Sequence, residues 1–317
     1  MRTLIGFIQA AAQATQQGPP PGAGPGGPPP GFSYRDAFFQ LVQFLGYFLA
    51  IGAIGFRFGI VRRVRGISDE AKRILRADNA ALLGIVGVLL LFVFYLGAPF
   101  IGSITEHKTF VEMLPKNIAP FQLRMAMLLL ALIGFALVRA SPGLGWTLAT
   151  IGILVAVLQP VYTGKLTGKV NAVHVLAAST WLGTLLVLSI VGIRGVIRLG
   201  PPGITRAELV GDLVNAFSPL ALTAATIVAL TGLTTAWLHL KRLSSLWTTS
   251  YGITLIIKLI FVLGVVVMGA WNWKRVRPAL GESGSEETIR RSSTTELTFG
   301  ALVLLATSVL VTLPSPK

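Results

Sequence analysis

Cysteine is absent from the 317 residues. Disulfides, thiolate metal sites and cysteine nucleophiles are therefore excluded. Acidic residues are also scarce, with twelve Asp and Glu against 27 Lys and Arg. Every one of them falls in a loop or at the end of an apolar run, and none lies in the middle of one. Proton-driven carriers usually need a buried carboxylate or histidine on the path, and paired-carboxylate hydrolysis needs two buried acids together. Neither carboxylate arrangement is evident, and no nucleophile–base pair is visible, so the sequence reads as a non-enzyme. Three histidines and five methionines are the whole supply of soft side-chain ligands.

What the chain has in quantity is apolar residues. They make up 53%, charged residues only 12%, and the mean hydropathy is +0.73. A soluble fold of this length would leave too much of that surface facing water, whereas lipid accommodates it. Apolar runs at 37–60, 80–99, 121–139, 144–160, 171–193, 215–239, 252–273 and 296–313 each approach the length that crosses about 30 Å of hydrocarbon. The expected fold is an all-α polytopic membrane protein with eight transmembrane helices in one bundle.

The net charge of +15 could suggest nucleic acid, but the basic residues gather at the ends of the apolar runs. They read as topology signals and lipid-headgroup contacts. The loop after the first run carries Arg57, Arg62, Arg63, Arg65, Lys72, Arg73 and Arg76. Over the whole chain sixteen basic residues fall on that side and ten on the other. The richer side is expected in the cytoplasm, which places both termini outside.

The chain divides into four stretches. Residues 1–17 form a signal-like segment or a short interfacial helix; the brief apolar core, Leu4 to Ile8, favours the retained helix. Residues 18–34 are a Pro/Gly-rich linker of extended, polyproline character. Residues 35–169 hold the first four helices and 170–317 the last four.

By this topology His107, His174 and His239 all fall on the outer side. His174 opens the fifth run and His239 closes the sixth, so antiparallel helices can bring them to one depth. Neutral imidazole suits copper, zinc or haem iron, and a hydrogen-bonded interfacial histidine is the plain alternative. Met113, Met125 and Met127 lie near the same boundary, where thioether sulfur could bind Cu(I) or simply fill the core. Lys258 sits about two turns inside the seventh run, able either to extend to the interface or to serve as a buried cation. His174, Ala178 and Trp181 share a helix face by spacing. Trp146, Trp181, Trp237, Trp247, Trp271 and Trp273, with Tyr47, Tyr95, Tyr162 and Tyr251, mostly read as markers of the two interfaces.

The second half resembles the CopD family of copper-resistance membrane proteins. The matching segments are His174-Val-Leu-Ala-Ala-Ser-Thr-Trp-Leu-Gly183, Phe217-Ser-Pro-Leu-Ala221, Thr231-Gly-Leu, Ala236-Trp-Leu-His239, Leu246-Trp-Thr-Thr-Ser-Tyr-Gly252, Lys258 and Gly269-Ala-Trp-Asn272, over about 170–314. The first half fits more loosely, through Leu45-Gly46, Gly55-Phe-Arg57 and Phe121-Gln-Leu-Arg124. The resemblance implies a bacterial inner-membrane protein that handles copper, beside a periplasmic copper carrier. It gives His174 a copper role, and Lys258 and Asn272 structural ones. One departure stands out: where the family commonly carries Gly-His after the fourth helix, this chain has Gly164-Lys165, and a protonated lysine cannot ligate copper.

Three functions compete. In the first, copper is held near the outer face by His174 with His239, with His107 or Met125 as further ligands. In the second, the chain is an accessory subunit that keeps the fold without metal and packs against other membrane subunits. In the third, His174 and His239 are axial ligands of a haem. Partners beyond lipid are other membrane subunits or the copper carrier; nucleic acid is not expected.

Overall fold

The computed structural model describes residues 32–64, 75, 77–115, 118–199, 204–240, 242–271, 274 and 285–314. The N-terminal segment 1–17, nearly all of the linker 18–34, and Asn272 lie outside the described residues. Among those described there is no strand, and eight helices are long and apolar enough to cross a membrane. They are α1 (Tyr34–Val64), α2 (Asn79–Glu106), α3 (Ile118–Leu137), α4 (Pro142–Tyr162), α5 (Leu166–Arg198), α6 (Glu208–Leu240), α7 (Ser250–Trp271) and α8 (Thr294–Thr312). Each expected apolar run falls on one of them.

Consecutive helices pair as antiparallel hairpins: α1 with α2, α3 with α4, α5 with α6, and α7 with α8. In α1 and α5 67% of the most apolar stretch is buried, against 17% in α7, so these two form the axis of the bundle. α1 touches α2, α4, α5, α6 and α8. Apolar side chains gain nothing by leaving lipid for protein, so docking rests on close backbone packing. A Cβ added at Gly52 would lie closer than 3.0 Å to the Gly183 carbonyl, and one added at Gly183 equally close to the Phe48 carbonyl. Gly134 and Gly152 hold α3 and α4 together in the same way.

Among the described residues, π-helical turns interrupt the spans at Phe56–Val61 in α1, Val93–Gly97 in α2, and Ser179–Gly183 and Leu188–Ile193 in α5. The turn in α2 shifts the backbone register just before Pro99. That proline then sits at the start of the helical segment Ala98–Glu106, where a missing N–H costs little. α2 therefore runs past the point where hydropathy predicts its end.

Three interface assignments need correction, the first being Tyr251, 8% exposed in a cluster with Leu240, Leu255 and Leu310. Trp146 is 2% exposed, with its ring edge-on to Phe135 and Phe58 at centroid distances of 5.7 and 6.3 Å. Tyr47 is 4% exposed, with its hydroxyl 3.0 Å from that of Tyr95. Trp146 and Tyr47 are interior because a neighbouring helix supplies the ring or hydroxyl that the lipid interface would otherwise supply. Trp237, Trp247 and Trp271 are exposed, as a belt requires.

Candidate functional site

His174, His239 and His107 all lie toward the end of the bundle where α1, α3, α5 and α7 begin, here called the histidine end. α5 starts earlier than its apolar run suggests. Thr167, Gly168, Lys169 and Asn171 lower the hydropathy of a stretch that is nonetheless helical from Leu166. His174 is thus the eighth residue after Leu166, Thr231 the ninth before Leu240, and Lys258 the eighth after Ser250. At 1.5 Å per residue all three sit about 12 Å inside their helix ends.

The imidazole of His174 is half-buried against α6. Its Nδ1 lies 2.9 Å from Thr231 Oγ1. The threonine hydroxyl has one proton, which it donates to the Ile227 carbonyl at 2.6 Å. Oγ1 therefore accepts from His174, so Nδ1 carries the ring proton and Nε2 keeps its lone pair. Metal-bound imidazoles use this arrangement, one nitrogen tied to a neighbour and the other free to coordinate. Gly232 provides the room: a Cβ there would meet His174 Cε1 at 3.2 Å.

His239 repeats the pattern nearer the surface. Its Nδ1 is 2.8 Å from the Thr235 carbonyl, which can only accept, so Nδ1 again carries the proton and Nε2 is free. The ring stacks on Tyr251 of α7, with centroids 6.0 Å apart and planes 15° apart. Thr231 and His239 are eight residues apart on α6, or about 12 Å of helix. The two histidines thus engage different partners at two depths. Among the described residues, no group of three or more His, Cys, Asp or Glu could hold a metal ion.

The other candidates are dispersed. His107 is exposed and ends the last helical segment of α2 in the left-handed conformation, φ 51°, beside the exposed Lys108–Glu106 ion pair at 2.8 Å. Its backbone conformation accounts for its place in the fold. Met125 packs against the main hydrophobic core. Lys165 is exposed at the start of α5. Trp181 falls in the first π-turn of α5, packed against two hydrophobic clusters. Lys258 is half-buried, as far from the start of α7 as His174 is from the start of α5. Thr231, the residue that sets the His174 tautomer, was quoted above only as part of a motif. A hydroxyl on the next helix, about as far from its helix end as His174 is from its own, was the signal that could have singled it out.

Composition and fold together define an α-helical membrane protein with eight spans among the described residues. Within it, residues 211–310 match the family model CopD, copper resistance protein D. That stretch contains Thr231, Gly232, His239 and Lys258, while His174 lies upstream of it. The chain is also similar to the copper transport protein CutJ of Bacillus subtilis (strain 168), being 27% identical over 181 residues, which is 54% of this chain and 31% of that protein. It therefore spans under a third of that relative's length. No solved structure matches.

Proposed function

We propose that the chain carries copper across the membrane, taking it first at His239 and then at His174. The observation that carries this reading is that both imidazoles engage an oxygen through Nδ1, at 2.9 and 2.8 Å, an arrangement that puts the proton on Nδ1 and leaves Nε2 for a metal. The CopD match and the copper transport relative support copper as the cargo. Imidazole nitrogen is a suitable copper ligand. A single imidazole at each depth makes weak, exchangeable sites, and conduction needs binding weak enough for the ion to leave. The difference in depth favours successive use over one shared ion or a haem. The histidine end is read as periplasmic and the arginine-rich end as cytoplasmic, from the charge bias of the loops.

The test uses the whole chain in copper-free proteoliposomes. Copper flux well above that of empty vesicles, falling at least tenfold in His174→Ala, is the expected result. Wild-type flux equal to empty vesicles, with no copper retained in mild detergent, would end this reading and leave a metal-free accessory subunit.

Lys258 supplies a graded check. Lys258 lies as far from its helix end as His174, at the same end of the bundle, and a cation at that level opposes a second one where water is scarce. Lys258→Leu is expected to tighten copper binding about tenfold, or ~1.4 kcal/mol, in a competition titration. Unchanged or weaker binding would show that Lys258 does not act on the ion.

A further inference from the structure

A second polar cluster lies in the first half of the bundle, away from His174 and His239. Arg124 is the sixth residue after Ile118 in α3, inside the span. Its guanidinium carbon sits 4.8 Å from the centre of the Tyr95 ring of α2. Its Nε is shielded from solvent and has no protein acceptor, and among the described residues no carboxylate pairs with it. Tyr95 OH accepts from Gln43 Nε2 of α1 at 2.9 Å and lies 3.0 Å from Tyr47 OH. One of the two tyrosine protons bridges the pair and the other remains to donate. Tyr95 itself falls in the π-turn Val93–Gly97, the kind of interruption that recurs at functional sites.

The cluster leaves several donors over, the guanidinium fork, the second Gln43 N–H and one phenolic O–H, against the Gln43 side-chain carbonyl as its main acceptor. A fixed positive charge inside a span is costly unless an anion meets it. We propose that Arg124, Tyr95 and Gln43 bind the phosphate of an anionic phospholipid between α2 and α3 at the histidine end. Arginine forks match phosphate oxygens two at a time. The position argues for a lipid rather than a free ion. Arg124 is about 9 Å from the start of its helix, within reach of headgroups for a side chain of its length. Its neighbours Gln122 and Leu123 on α3 and Leu96 on α2 are exposed, so the cluster opens sideways toward lipid. The same charge would repel copper, which sets this site apart from the His239–His174 route.

The full chain is delipidated in mild detergent, titrated with phosphatidylglycerol and observed by native mass spectrometry. Wild type is expected to keep one phosphatidylglycerol where Arg124→Gln keeps at least fivefold less. Tyr95→Phe, which preserves the ring and loses the hydroxyl, is expected to fall two- to threefold. Arg63→Gln, exposed at the opposite end, serves as the control and should match wild type. If Arg124→Gln does not fold, Arg124→Lys is read instead, with an intermediate loss expected because the charge stays and the fork goes. Retention equal to wild type in the Arg124 variant and in Tyr95→Phe would overturn the site. Displacement of the lipid by millimolar inorganic phosphate would overturn the lipid assignment and make the ligand a free oxyanion.

Discussion

Replacing Gly183 with alanine is expected to prevent α1 and α5 from docking, while the same substitution at Gly143 does almost nothing. The chemistry is identical at both positions and only the surroundings differ. A Cβ at Gly183 would lie closer than 3.0 Å to the backbone carbonyl of Phe48, and backbone cannot step aside as a side-chain tip can. At Gly143 a Cβ meets nothing within 4 Å. Overpacking of this kind costs on the order of 3 kcal/mol, and here it falls on the two helices that form the axis. Thermal unfolding in detergent, followed by size-exclusion fluorescence, should show Gly183→Ala aggregated or melting far below wild type, with Gly143→Ala unchanged. Equal melting of the two variants would mean that the α1–α5 contact is not what holds the bundle.

The second large effect is expected at His174 and is separable from folding. His174→Ala removes the only free imidazole nitrogen at that depth, so copper binding there should be lost. Thr231→Val leaves the ring in place and removes the acceptor that holds the proton on Nδ1. Losing such an outer partner typically weakens a metal site 10–100-fold, so Thr231→Val should weaken binding by about tenfold while the protein stays monodisperse. Thr231→Ser keeps the hydroxyl and should recover most of that loss. Copper binding in Thr231→Val equal to wild type would show that the tautomer is not set by this hydroxyl.

The eight helices were legible in the sequence because lipid removes the main ambiguity of apolar runs: a long enough one spans. What hydropathy concealed was depth. The polar residues of Leu166–Asn171 hid the first turns of the α5 helix, so His174 reads as the opening of the apolar run although it is the eighth residue after Leu166, while His239 closes α6 at its last turn. The π-turns left no periodic signature, and Tyr95 gained its position from one of them. Trp146 and Tyr47 looked like interface markers because an aromatic residue's neighbours on other helices are not written in its own segment. Arg124 was counted as a topology charge; only the convergence of α1, α2 and α3 shows it facing Tyr95. The histidines themselves, and Thr231 beside Gly232, were in plain view, but their hydrogen bonds decide their chemistry and had to be seen in three dimensions.

The central claim is that imidazole Nε2 atoms inside the bundle bind copper. X-ray absorption on the copper-loaded wild-type protein, compared with His174→Ala and His239→Ala, tests it most directly. Scattering from imidazole nitrogen in the wild type, reduced in each single variant, is the predicted result. Copper with no imidazole scattering, or a spectrum that neither substitution changes, would contradict it.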